Sequence, residues 1–98
     1  MSRRPFIAGN WKMHKTPAQA DELAGALKRA LSDQTRVDVA VAPVFLALPA
    51  VAQRLKQSGI HVAAQNLPPE VQGAFTGEVS GEMLRSIGVA YCIVGHSE

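Results

Sequence analysis

The sequence predicts an α/β protein in the order β-α-β-α-β-loop-α-β, with every strand parallel. Three features predict it. Short apolar runs alternate with segments whose apolar residues recur at helical spacing, which calls for strands joined by crossover helices. The apolar runs are nearly free of polar residues, as expected of strands covered on both faces. Proline and glycine mark the joins, at Pro17, Pro43, Pro49, Gly59 and Gly88.

The first strand is Phe6-Ile7-Ala8, which breaks at Gly9 and continues into Asn10-Trp11-Lys12. Thr16-Pro17-Ala18-Gln19 then reads as a capping box, with proline at the first helical position. Ala20, Leu23, Ala24, Leu27 and Leu31 follow on one helical stripe, with Asp21, Glu22, Lys28 and Arg29 outside it. The second strand is Val37 to Ala42, stopped by Pro43. A second helix carries Leu48, Val51, Ala52 and Leu55 on one face, with Pro49 near its start and Gly59 placed to cap its C-terminus. Ile60 to Gln65 is the third strand. Residues 66–79 hold two prolines and two glycines without a helical period. This is long for a strand-to-helix loop, and loops of that kind tend to be functional or disordered. Ser80 to Ile87 is a short helix closed by Gly88, and Ala90 to Val94 is the fourth strand.

At 98 residues the chain is at most one small domain, and its 47% apolar and 18% charged residues describe a globular interior. The net charge of +2 includes Arg3-Arg4 at the terminus. No basic stripe interleaved with aromatics is present, which argues against nucleic acid. No run reaches the length of a membrane span, and the N-terminus lacks the apolar core of a signal peptide. The single cysteine, Cys92, lies in an apolar run and suits a reducing compartment, so a soluble cytoplasmic protein is expected. Four parallel strands left open would expose their edges unless other chain covers them. Residues 1–98 therefore read as a single incomplete domain.

Chemistry concentrates past the strand ends. Residues two apart on a strand share a face, so Asn10 and Lys12 project together if the extended geometry continues past Gly9. His96 and Glu98 repeat the arrangement after the fourth strand, again behind a glycine. Parallel strands end at one rim, where α/β proteins hold their ligands. A cation, an amide, an imidazole and a carboxylate would converge there, suited to stabilising an oxyanion with Lys12 and a hydrogen bond from His96. One such donor is worth about 100–1000-fold in rate. The plainer reading makes each a solvated loop residue; spacing alone favours it, and two such pairs at equivalent strand ends bring the two readings level. Gln65 and Asn66 sit at the same rim and either orient Lys12 or satisfy loop backbone. Trp11 is read as packing below the rim, and His14 and His61 as surface residues. Phe75, within Gly73-Ala74-Phe75-Thr76-Gly77-Glu78, either meets a partner or folds back over its own helix. No glycine-rich phosphate fingerprint, metal-ligand spacing or nucleophile elbow occurs, so no cofactor and no metal are expected.

Gly9-Asn10-Trp11-Lys12-Met13, Ala64-Gln65-Asn66, Gly73 to Glu78 and Val94-Gly95-His96-Ser97-Glu98 together closely resemble the triosephosphate isomerase family, in order and in spacing. The resemblance runs over essentially the whole chain and implies the N-terminal part of a TIM (β/α)8 barrel, ending just after its fourth strand. It implies cofactor-free interconversion of dihydroxyacetone phosphate and D-glyceraldehyde 3-phosphate through an enediol(ate), in glycolysis and gluconeogenesis. By this resemblance Asn10 and Lys12 bind the phosphorylated triose, with Lys12 supplying positive charge. His96 is the neutral electrophile, a description established for triosephosphate isomerase itself and taken over here by resemblance. Glu98 is the carboxylate that helps to position Lys12. Phe75, Thr76, Gly77 and Glu78 resemble the loop that enters a neighbouring subunit, implying a homodimer. Pro43-Val44-Phe45 departs from the more usual double proline, away from the chemistry.

The family's glutamate base, lid and phosphate-gripping loops come from later strands. The helix whose N-terminus keeps its histidine neutral begins at or beyond residue 98. These residues taken alone are therefore expected to be inactive. The competing expectation is a non-catalytic barrel fragment, stable only by self-association or by complementation. Another phosphate-binding βα-barrel enzyme is a weaker third.

Overall fold

The computed structural model describes residues 4–94. Four parallel strands, β1 (Phe6–Asn10), β2 (Asp38–Ala42), β3 (Ile60–Ala64) and β4 (Tyr91–Cys92), form one sheet in the order β1-β2-β3-β4. The register runs from Phe6↔Asp38 to Asn10↔Ala42, then Val39↔Ile60 to Val41↔Val62, then Ala63↔Tyr91 and Ala64↔Cys92. The connections are α1 (Pro17–Ala30), a 3-10 turn (Phe45–Ala47) running into α2 (Leu48–Arg54), and α3 (Gly81–Ser86).

Helix ends follow their local chemistry. The Thr16 hydroxyl accepts from the Gln19 N–H at 3.3 Å, and the Gln19 side chain accepts from the Thr16 N–H at 3.0 Å, completing the expected box. The Ser80 hydroxyl accepts from the Met83 N–H at the start of α3. After α3, Gly88 adopts φ +96°, its N–H donates to Arg85 O at 3.0 Å, and the Val89 N–H donates to Leu84 O at 3.2 Å. That pair of bonds is a Schellman motif, with the buried Leu84 and Val89 as its hydrophobic contact. Gly59 differs from expectation. It has φ +80°, but α2 already ends at Arg54, and a turn over residues 55–58 separates them. Lys28 instead covers that helix end, donating from Nζ to Arg54 O and Lys56 O at 3.4 and 3.3 Å.

The core lies between the helices and one face of the sheet. Val41, Ile60, Val62 and Ala64 from the strands meet Ala20, Ala24, Leu48, Val51, Ala52, Leu55 and Leu84, all buried. Arg54 joins α2 to α1 through a two-pronged ion pair with Asp21, at 3.0 and 2.7 Å. Gly25 makes room for it, since a Cβ there would already touch the guanidinium at 3.4 Å.

The opposite face corrects the expectation that both faces are covered. It carries Phe6, Ala8, Ala40, His61, Ala63 and Tyr91 by register, and no helix packs there among the described residues. Phe6 and Tyr91 nevertheless touch, with ring centroids 5.1 Å apart, although β1 and β4 are the two edges of the sheet. The sheet is therefore curled into a half-barrel whose concave face brings its edges within side-chain reach. His61 stands edge-on to Tyr91 at 5.2 Å, so it is half-buried on the concave face and not a plain surface residue.

Candidate active site

The C-terminal rim of the sheet is assembled from the tips of β1, β2 and β3 and the loop that follows β3. Asn10 closes β1. The Trp11 N–H still donates to Ala42 O at 3.0 Å, carrying the ladder one residue further, while the indole is partly buried against the core. At Lys12 the extended geometry fails, because its φ is +51°. Alternation along a strand is thus not what relates Asn10 to Lys12. A turn does so, in which Asn10 Oδ1 accepts from the Lys12 N–H at 2.9 Å. Left-handed backbone costs a non-glycine residue about 1–2 kcal/mol, so the surroundings must hold it.

Gln65 contributes to that hold. It follows β3 directly, and its Nε2 donates to Lys12 O at 2.9 Å and to Ala42 O at 2.7 Å. The loop-backbone reading of this residue is the one the structure shows, and the loop carbonyl it satisfies belongs to Lys12. Asn66 turns the other way, donating from Nδ2 to Glu78 Oε2 at 2.9 Å, which ties the far end of the long loop to the rim.

The loop tip is a tight turn. The Glu78 N–H donates to Phe75 O at 3.0 Å, and Gly77 has φ +88°, the pattern of a type II turn with Thr76 at its outer corner. Thr76, Gly77 and Glu78 are exposed. Phe75 lies against Gly73 and borders a cavity with Val71 and Met83, yet it remains 45% exposed. It folds back on its own loop and still presents a ring to solvent.

His96 and Glu98 lie outside the described residues. β4 runs parallel to β3, and its ladder continues where the Ile93 N–H donates to Ala64 O at 2.8 Å. The described part of β4 therefore heads toward the same rim as Asn10. Among the other candidates, His14 is exposed in the loop after β1. Burial pushes the Cys92 thiol above its ordinary pKa, and its Sγ donates to Ile93 O. Among the described residues no three His, Cys, Asp or Glu side chains are grouped to hold a metal ion.

Sequence reasoning passed over the apolar part of the rim. Met13 is 90% exposed, and Phe45 and Leu46, just past β2, are exposed as well. A cavity of about 190 Å³ opens between Phe45, Leu48, Gln65, Asn66 and the stretch Gly77 to Val79. The available signal was large apolar residues placed directly after strands, beside polar ones.

The sequence profile of the triosephosphate isomerase family matches residues 5–98. The chain belongs to the triosephosphate isomerase family. Its relatives include the triosephosphate isomerase of Syntrophotalea carbinolica, 62% identical over 98% of this chain and 38% of the relative. The triosephosphate isomerase of Carboxydothermus hydrogenoformans is 55% identical over the same shares, and that of Acetivibrio thermocellus is 53% identical over 100% of this chain and 39% of the relative. The chain thus spans less than two-fifths of the length of the curated relatives it matches. The curled sheet is accordingly part of the (β/α)8 barrel of triosephosphate isomerase, and the rim just described is the barrel face at which this architecture builds its sites.

Proposed function

We propose that these residues form the first part of a triosephosphate isomerase that interconverts dihydroxyacetone phosphate and D-glyceraldehyde 3-phosphate through an enediolate. The observation that carries the reading is the Asn10–Lys12–Gln65 arrangement at the strand tips, in a chain whose family profile match runs from residue 5 to residue 98. Asn10 and Lys12 bind the phosphorylated triose, and the Lys12 ammonium offsets charge on the phosphate and on the enediolate oxygen. His96 polarises the carbonyl and moves protons between the two oxygens, and Glu98 positions Lys12. The proton on carbon is taken by a base supplied from later strands. No cofactor enters the reaction. The protein works in the cytoplasm as a homodimer, and the exposed turn at Thr76 supports a partner there, reached by Phe75, Thr76, Gly77 and Glu78 together.

The test joins this chain in frame to the remainder of the Syntrophotalea carbinolica relative and measures isomerase turnover of the chimera. We expect activity, a loss of about 100–1000-fold on Lys12→Met or His96→Gln, and a lower dimer fraction together with lower turnover on Thr76→Arg. A folded chimera without turnover would sink the reading. Taken alone, residues 1–98 should show no useful turnover, because a positioned base is worth about 100–10,000-fold and in this reading it comes from later strands.

A second reading is favoured by a concave face that no described helix covers, with Phe6 and Tyr91 part-exposed on it, and by the edges at β1 and β4. In it the 98-residue unit is non-catalytic and persists by self-association or by pairing with the rest of the barrel.

A further inference from the structure

We infer that Gln65 is a positioning residue for Lys12, an inference that rests on the isomerase reading above. A carboxamide nitrogen has two protons to donate. At Gln65 both go to backbone carbonyls at the tips of two other strands, Lys12 O at 2.9 Å and Ala42 O at 2.7 Å. The Ala42 carbonyl is already paired in the ladder, by the Trp11 N–H at 3.0 Å. The sheet therefore does not need Gln65 to satisfy that group.

The Lys12 carbonyl lies beyond the end of β1, on a residue whose φ of +51° takes it out of the strand ladder. Asn10 Oδ1 holds the peptide on the N-terminal side of Lys12, through its N–H, and Gln65 holds the peptide on the C-terminal side, through its C=O. With both flanking peptides fixed, the direction in which the Cα–Cβ bond leaves the backbone is fixed too. Gln65 is half-buried, and its own backbone is anchored next to β3. The hold on Lys12 is thus referred to the middle of the sheet and not to a mobile loop. Gln65 touches no substrate in this scheme; it acts through Lys12.

The experiment uses the full-length chimera, with Gln65→Met, Gln65→Asn and, as a control, Ser58→Ala. Methionine keeps the length of the side chain and removes both donors. Asparagine keeps the donors but is one methylene too short to reach both carbonyls. Ser58 serves backbone groups before the opposite end of β3, accepting from the Ile60 N–H at 3.1 Å and donating to Leu55 O at 2.6 Å.

We expect all three variants to lower Tm. Gln65→Met should also lower kcat/KM by about 10–100-fold per folded molecule, through both kcat and KM, because a displacement near 1 Å costs on that order. Gln65→Asn should fall between, and Ser58→Ala should leave kcat and KM unchanged. The inference is overturned if Gln65→Met stays within about twofold of the parent in both constants at a temperature where it is folded. Should Gln65→Met not fold, Gln65→Asn decides by the same criterion. If neither folds, Gln65 is a structural residue and the inference falls. An inactive parent chimera defeats the isomerase reading itself, whereas an active parent indifferent to Gln65 defeats this inference alone.

Discussion

At the residue scale, backbone conformation decides what a side chain can do, and glycine and lysine show it from opposite directions. Gly77 and Gly73 both have positive φ, +88° and +139°, but their surroundings differ. A Cβ on Gly77 would meet nothing within 4 Å, whereas on Gly73 it would come within 2.8 Å of the Phe75 ring. In the chimera, Gly77→Ala should cost about 1 kcal/mol from the backbone in urea unfolding, since within its own chain the added Cβ meets nothing. Gly73→Ala should cost more, and it should raise exposure of the Phe75 ring. Equal losses would show that the ring does not rest on Gly73. Cys92 gives a second residue-scale outcome. Because burial raises its pKa, the thiol stays protonated at neutral pH, and only the thiolate attacks alkylating reagents. Its rate with iodoacetamide should be slow at pH 7.5 and still be climbing above pH 9. A plateau near neutrality would contradict the raised pKa of this half-buried thiol.

At the element scale, the sequence made the order of strands and helices legible because each element advertised its own period and ends. The Thr16–Gln19 box and the Gly88 stop were readable since their bonds are local, and both form. What stayed hidden depended on distant chain. Lys12 gave no warning of φ +51°, because a lysine does not favour that region; Asn10 and a glutamine 53 residues away hold it there. Gly59 looked like a helix cap, but α2 ends earlier, where Lys28 from α1 covers its last carbonyls. His96 and Glu98 were legible as candidates by motif, though they fall outside the described residues. The α1–α2 contact makes a pH prediction. The hydrogen bonds from Arg54 hold the Asp21 carboxyl below the ordinary carboxylate value. A folded-state pKa lower than the unfolded one stabilises the fold above the unfolded value, about pH 4, and the gain disappears as pH falls through the folded value. Asp21→Asn should therefore destabilise the chimera slightly at pH 7 and by less as the medium becomes acidic. The effect is small because both partners are exposed. A difference that persists unchanged at pH 2 would assign the effect to packing around Gly25 and not to charge.

At the scale of the whole molecule, the sheet is complete on its convex side and open on the other. Every helix packs against the face bearing Val41, Val62 and Ala64, so that core is closed. The edges are not: Ile7 on β1 is 57% exposed, and Val94 just past β4 is 72% exposed. On the concave side Phe6 and Tyr91 remain 48% and 44% exposed even while touching each other. Unpaired parallel edges beside apolar surface are templates for further pairing. The barrel of the family satisfies both at once by supplying the strands between β4 and β1. The isolated 98-residue chain should therefore bind a hydrophobic dye and elute as a species larger than its 10.4 kDa. Adding the remainder of the Syntrophotalea carbinolica relative should quench the dye, reduce the apparent size to that of a barrel assembly, and bring isomerase turnover. Tyr91→Ala should weaken this pairing, because the ring that draws the two edges together is gone. A dye-silent monomer of the bare chain, unchanged by the complementary piece, would mean that the half-barrel closes its open face by itself, and the curl set by Phe6 and Tyr91 would then be a finished structure.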